Sequence, residues 1–299
     1  PAPLAWCERS HQSATARREW RSTSRTFLVP TRSASTRFSR SSARVPQEPP
    51  RSSGALLKRD GKRYAFGEGA RLCRLNLRTG RLRVILNDPK GGIRDPQVHY
   101  DGRTIVFSYR PGGSDCFNLY EIRSDGSGLR RLTDAPYDDI EPTYLPDDSI
   151  VFSSTREPKY NMCSRDSGAN LFRMEADGAN IHQITKNTLF DNHASLLPDG
   201  RILYARWEYV DRNFGDAQGL WTANPDGSNQ MVFYGNMHSG TVMIDAKPLP
   251  DDSGRVIAVF SPGHGRPEHM GAITLVSPAR GPDHPASIER IRSKVWLPL

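Results

Sequence analysis

Four stretches of the chain share one pattern: an acidic or amide residue, an extended run, a turn built on Pro and Asp or on Asp-Gly, a second extended run, then a basic residue. They are DPQVHYDGRTIVFS from Asp95, EPTYLPDDSIVFS from Glu141, NHASLLPDGRILYA from Asn192 and DAKPLPDDSGRVIAVFS from Asp245. Their lead residues are spaced roughly 46 to 53 residues apart. Self-similarity at that period, with several short strands per unit, predicts the blades of a β-propeller. The expected fold is therefore all-β: a partial propeller of about four four-stranded blades plus the outer hairpin of another, behind a disordered N-terminal tail.

In the second blade the strands are expected at Glu141–Tyr144, Ser149–Ser153, Asn170–Met174 and Ile181–Ile184, labelled A to D. Turns fall at Asp147-Asp148 and Asp177-Gly178, and Asp-Gly supplies the positive φ of a tight hairpin. Asp101-Gly102 and Asp125-Gly126 repeat this in the first blade, and Asp199-Gly200 and Asp226-Gly227 in the third. The blades span about 91–135, 136–187, 188–237 and 238–285, within a domain of 54–299. Leu72–Asn76 and Leu82–Leu86, joined by Thr79-Gly80, read as the outer hairpin of an earlier blade. No segment sustains the 3.6-residue apolar period of a helix.

The net charge of +8 invites a nucleic-acid role, but ten Arg and three Glu before Gly54 account for +7 of it. The folded part is near neutral, so no nucleic acid is expected for it. Residues 1–53, rich in Arg and Ser without apolar periodicity, are expected to be disordered. They read either as a basic arm or as an unselected extension. No apolar run has the length of a membrane span. The chain begins with Pro rather than Met and shows no signal-peptide apolar region, which reads as a fragment, a mature form or a mis-started frame. Cys7, Cys73, Cys116 and Cys163 form no C-x-x-C pair, and no C-x-x-C-H for covalent c-type haem is present.

In a four-stranded meander, the residues opening strand A share one face of the disc with the B–C loops. Those loops are the long ones here, and long loops on a rigid scaffold are where binding concentrates. The lead residues Asp95, Glu141, Asn192 and Asp245, with His193, meet there the basic residues Arg110, Arg156 and Arg206 that follow strand B. They form either a ring of ligand-binding groups at the channel mouth or ion pairs tying strand A to strand B. In the fourth blade, His264, Glu268 and His269, beside Arg266 and with His238 nearby in sequence, lie in a Gly/Pro-shaped loop. They offer N/O ligands to a metal ion, or are hydrogen-bonded loop residues. Cys116 and Cys163, in successive B–C loops, are either disulfide partners or two thiols. Trp207, Tyr209 and Trp221 either line a stacking pocket or pack between blades.

The formula EPTYLPDDSIVFSSTR followed by LFRMEADGANIHQIT resembles the TolB-like (WD40-like) β-propeller repeat. IRDPQVHYDGRTIVFSYR, LPDGRILYARWEYVDRN and MIDAKPLPDDSGRVIAVFSPGHGRPEHMGAITLV are similar to the middle domain of the hydrazine synthase alpha subunit family. That resemblance covers roughly Gly91 to Pro282 and implies an extracytoplasmic propeller associated with haem-bearing domains. The expected function is a non-catalytic binding module for a protein partner or small ligand. The alternative is the propeller part of a redox enzyme, with a metal or haem near the fourth-blade His loop. Fold likeness alone does not carry activity.

Overall fold

Ile150, Val151 and Phe152 are all fully buried, although successive strand residues point to opposite faces. A strand achieves this only when both faces of its sheet are covered. A computed structural model describes residues 68–160, 167–210, 217–237, 241–262 and 271–291, with the strands Ser24–Pro30 (β1), Leu57–Arg59 (β2) and Lys62–Tyr64 (β3). Ala70–Asn76 (β4) and Leu82–Asn87 (β5) form the expected hairpin, and β1 pairs antiparallel with β4. Thus Ser24–Pro30, within the stretch expected to be without structure, forms a strand; the rest of residues 1–53 lies outside the described residues.

Four blades of antiparallel strands follow, the last two joined into one sheet. The first blade comprises Gly92–Val98 (β6), Thr104–Arg110 (β7), Asn118–Arg123 (β8) and Arg130–Arg131 (β9). The second comprises Asp139–Tyr144 (β10), Ile150–Ser154 (β11), Asn170–Met174 (β12) and His182–Gln183 (β13). The third comprises Phe190–Leu196 (β14), Ile202–Glu208 (β15), Ala217–Ala223 (β16) and Met231–Tyr234 (β17). The fourth comprises Thr241–Pro248 (β18), Val256–Pro262 (β19), Ala272–Val276 (β20) and Ile288–Arg290 (β21). Its last connection carries two short 3-10 turns, Pro278–Arg280 and Pro285–Ser287, in place of an Asp-Gly hairpin. A short parallel pairing of Ala217 and Gln218 with Thr241 and Val242 links the third and fourth blades. No helix among the described residues is long and apolar enough to cross a membrane.

The core lies between blades. Val106, Leu119 and Leu132 pack on Tyr144, Ile150 and Phe152. Val151 and Leu171, on the opposite face, pack on Ile202 and Tyr204. Leu203, Leu220 and Tyr234 repeat the contact against Met243, Ala258 and Phe260. Each fully buried Phe or Leu contributes about 1.5–3 kcal/mol, so the stacking of sheets holds the arc together.

The C–D turns do more than reverse the chain. Gly178 and Gly227 have φ of +93° and +82°, and a Cβ there would fall 2.3 Å from Leu132 O and 1.9 Å from Ile184 O respectively. Each of these glycines therefore seats its blade against the backbone of the blade before it. In the A–B turns, Asp101 Oδ1 accepts from the amides of Arg103 and Thr104 at 2.7 and 2.9 Å. Asp148 and Asp252 take positive φ values of 64° and 55° where the first and third blades use Gly.

Candidate functional site: a charged ring on the inner strands

The innermost strands β6, β10, β14 and β18 contact one another in succession, so they converge toward a common axis. Each carries a β-bulge against its strand-B neighbour, and the register shift falls at Arg94/Gln97, Ile140/Thr143, Asn192/Ser195 and Ile244/Lys247. One residue in each bulge sits in the left-handed region: Asp95 (φ 53°), Glu141 (φ 57°), His193 (φ 56°) and Asp245 (φ 53°). Non-glycine residues adopt that conformation at a cost, and bulges are devices for re-aiming a side chain. The same costly geometry at one position of four blades aims four ionisable side chains alike.

This corrects the third-blade register. His193 is the counterpart of Asp95, Glu141 and Asp245; Asn192 precedes the bulge, paired opposite Ala205. The sequence pattern aligns NHASLLPDG on its amide residue, one position early, because a histidine stands where the other three blades carry a carboxylate.

The ring is bonded across blade boundaries. Arg94 pairs with Asp95 through Nε and reaches Glu141 Oε1 with Nη2 at 2.8 Å. Glu141 Oε2 accepts from the His193 amide at 2.7 Å and from Ser153 Oγ at 2.9 Å. The Glu141 amide in turn donates to Asp95 Oδ2 at 3.2 Å and to Ser108 Oγ at 3.1 Å. His193 Nδ1 lies 3.4 Å from Glu141 Oε1 and 3.0 Å from Asp245 Oδ1. Arg94, Ser108 and Ser153 are bonded partners of the ring that the repeat pattern does not single out. The repeated Phe-Ser ending strand B was the available signal for the serines.

Charges in the ring are mutually dependent. Burial opposes charge on His193, yet Glu141 and Asp245 beside it hold the imidazole above its ordinary value of 6.5. Burial also works against Glu141, but His193 and Arg94 hold its carboxyl below 4.5. Asp245, despite partial burial, is drawn down to about 2 by its hydrogen bond and charge contact with His193. Burial pushes Asp95 upward against the pull of Arg94. Glu141 is enclosed, with 8% of its side chain exposed, whereas Asp245 presents 55%. The accessible member of the ring is therefore an ionised carboxylate.

The arginines after strand B belong to a different layer. Arg156 binds the fully buried Asp139 through Nε at 3.2 Å and Nη2 at 2.7 Å. Arg206 lies 3.5 Å from the equally buried Asp191 and 2.8 Å from Glu208. These are ties between strand A and strand B, but they use the acid two residues before the lead residue. Arg110 is buried, with its guanidinium carbon 5.6 Å from the Phe117 ring centre. The expected single ring thus divides into an inner set, Asp95, Glu141, His193 and Asp245, and an outer structural set of arginines.

The remaining candidates separate. His264, Glu268 and His269 lie outside the described residues, as do His238, Arg266 and Cys163; Cys116 is half-buried. Trp207 is buried, its ring centre 5.2 Å from Phe190 and 5.4 Å from Tyr209. The Arg206 guanidinium lies over Trp221 at 4.9 Å. These aromatics pack among neighbours. Among the described residues, no group of three or more His, Cys, Asp and Glu is arranged to hold a metal ion.

No protein-family model matches the chain. Hydrazine synthase subunit alpha from Kuenenia stuttgartiensis is 26% identical over a 227-residue alignment, covering 56% of this chain and 27% of that subunit. The chain is a β-propeller similar in sequence to hydrazine synthase subunit alpha. The solved Kuenenia hydrazine synthase shares the propeller fold at a TM-score of 0.64 and 21% identity, covering 76% of this chain and 36% of that one. The uncharacterized protein Atu1656 of Agrobacterium fabrum is 31% identical over 126 residues, covering 39% of this chain and 40% of its own length. The propeller described here therefore spans well under half of each of these relatives.

Proposed function

We propose that the chain is a non-catalytic β-propeller binding module that works outside the cytoplasm and takes its ligand on the face carrying the long B–C loops. The observation that carries this reading is the inner ring. Four blades each spend a left-handed bulge residue on an ionisable side chain, whereas a tie between strands is already supplied by Asp139 with Arg156 and Asp191 with Arg206. Strained backbone that aims polar groups at one place is a recurrent feature of ligand sites. The half-exposed, ionised Asp245 favours a cationic or hydrogen-bond-donating group on the ligand. The test is a thermal-shift and calorimetric screen of the chain against a panel of primary amines and guanidines. Binding without turnover supports the reading, and no response from any member opposes it. The location follows from the resemblance to an extracytoplasmic family and is checked by fractionating cells that make the native protein.

The sequence relation to hydrazine synthase subunit alpha supports a second reading, an accessory propeller of a redox enzyme. The chain's own residues do not fit a covalently held haem, because no C-x-x-C-H is present. An absorption spectrum and metal analysis of the purified chain decide between the two. A Soret band or stoichiometric metal supports the redox reading, and their absence supports the binding module.

A further inference from the structure

A cleft of about 490 Å³ opens between the first and second blades on the loop-bearing face, away from the inner ring. That volume is in the range of small-ligand and peptide-anchor sites. Its walls are chemically unusual for this chain. Pro136 and Tyr137 come from the connection between the blades, Pro158 and Tyr160 from the long B–C loop of the second blade, and Asp115 from that of the first. Tyr137 and Tyr160 are 39% and 67% exposed, and Tyr100 in the A–B turn of the first blade is exposed too, whereas Tyr109, Tyr120, Tyr144, Tyr204 and Tyr234 are buried.

The cleft is held open by its backbone. Asp138 Oδ1 accepts from the Phe117 amide at 2.9 Å, and the Asp138 amide donates to Thr155 Oγ1 at 3.1 Å. The Thr155 amide returns a bond to Asp138 O at 3.1 Å. Asn118 Nδ2 donates to Ala135 O at 3.1 Å and Tyr137 O at 3.4 Å. Tyr160 is bridged to Ser167, and the Gly168 amide bonds to Lys159 O at 3.3 Å. These bonds fix the described parts of the walls before a ligand arrives.

We propose that this cleft binds a proline-rich peptide segment in the polyproline II conformation, flanked by a basic residue. The tyrosine and proline rings of the lining present flat surfaces with polar tips, and those receive prolyl rings well. A polyproline II segment carries no internal hydrogen bonds and is already extended before binding, so it loses little freedom in such a groove. The Lys159 ammonium, the cation of the cleft, is already bonded to Asn187 O and lies 3.7 Å from Glu157. Asp115 is exposed at the rim, which favours a positive charge on the ligand next to the prolines. The proposal rests on the binding-module reading but is independent of the ring.

The test uses the whole chain and a synthetic peptide of about six prolines followed by two arginines, titrated by calorimetry. The wild type binds this peptide, and Tyr137→Ala combined with Tyr160→Ala weakens binding by about tenfold or more. Because both rings are exposed, the double variant keeps its fold, which a thermal melt verifies. Asp115→Asn weakens binding and flattens its salt dependence. A peptide with alanines in place of the prolines does not bind. Failure of the wild type to bind, equal binding by the tyrosine variant, or equal binding of the alanine peptide overturns the proposal. The amine panel reads the ring separately, so a chain that binds amines but not the peptide loses the cleft alone.

Discussion

His193 Nδ1 stands 3.0 Å from Asp245 Oδ1 and 3.4 Å from Glu141 Oε1, so one imidazole joins the second, third and fourth blades. Because those carboxylates raise its pKa in the folded chain above 6.5, protonated His193 stabilises the fold. That contribution is complete below the unfolded value and is lost as pH rises through the folded one. Glu141 and Asp245 behave oppositely: their depressed values stabilise above the ordinary carboxylate range and lose that effect as pH falls. The ring therefore stabilises most between roughly pH 5 and 6.5. Thermal midpoints of wild type and His193→Gln measured from pH 5 to 9 should differ most near pH 6 and converge toward pH 9. A difference that grows with pH contradicts the assignment.

The C–D glycines make a sharper stability prediction. Gly227→Ala places a methyl group 1.9 Å from Ile184 O in addition to straining a φ of +82°, whereas Gly200, at +87°, has nothing within 4 Å of a new Cβ. Gly200→Ala should cost about 1 kcal/mol from backbone strain alone. Gly227→Ala should cost about 3 kcal/mol or more. Denaturant midpoints of the two variants check the ordering. Equal losses would show that the turn does not seat the blade on its neighbour.

The blade formula made the architecture legible because each recurring residue has a local physical duty: Asp in the A–B turn, Gly in the C–D turn, and an apolar run covered on both faces. The strands expected for the second blade match those found to within one or two residues. The site was legible only in part. Asp95, Glu141 and Asp245 stand out as repeated acids, but a bulge shifts the register by one residue, and sequence spacing does not reveal it. Spacing alone therefore puts Asn192 in the lead position that His193 holds, and pairs Arg156 with Glu141 although its partner is Asp139. Of the Tyr137–Tyr160 cleft only the long B–C loops are legible, since the residues that line it do not recur from blade to blade.

The fourth blade offers a test of association. Its cross-strand pairs Val259–Ile273 and Ile257–Leu275 lie on the face opposite the one packed against the third blade, and Ile273 is 50% exposed. Blades elsewhere in the arc bury such faces against a neighbour. The chain alone is expected to self-associate, with apparent mass by light scattering rising with concentration. Ile273→Lys should lower that mass. A monomer at every concentration contradicts the expectation.

The most direct test of the ring as a ligand site is Asp245→Asn, followed by thermal melting and by titration with the amine and guanidine panel. Asn accepts the left-handed backbone well, and the side chain replaced is 55% exposed, so the structural loss should be under about 1 kcal/mol. The account predicts a thermal midpoint lowered by at most about 3 °C with the amine response abolished. A midpoint lowered by many degrees, with an amine response unchanged or absent from the wild type as well, would show that the ring only ties blades together.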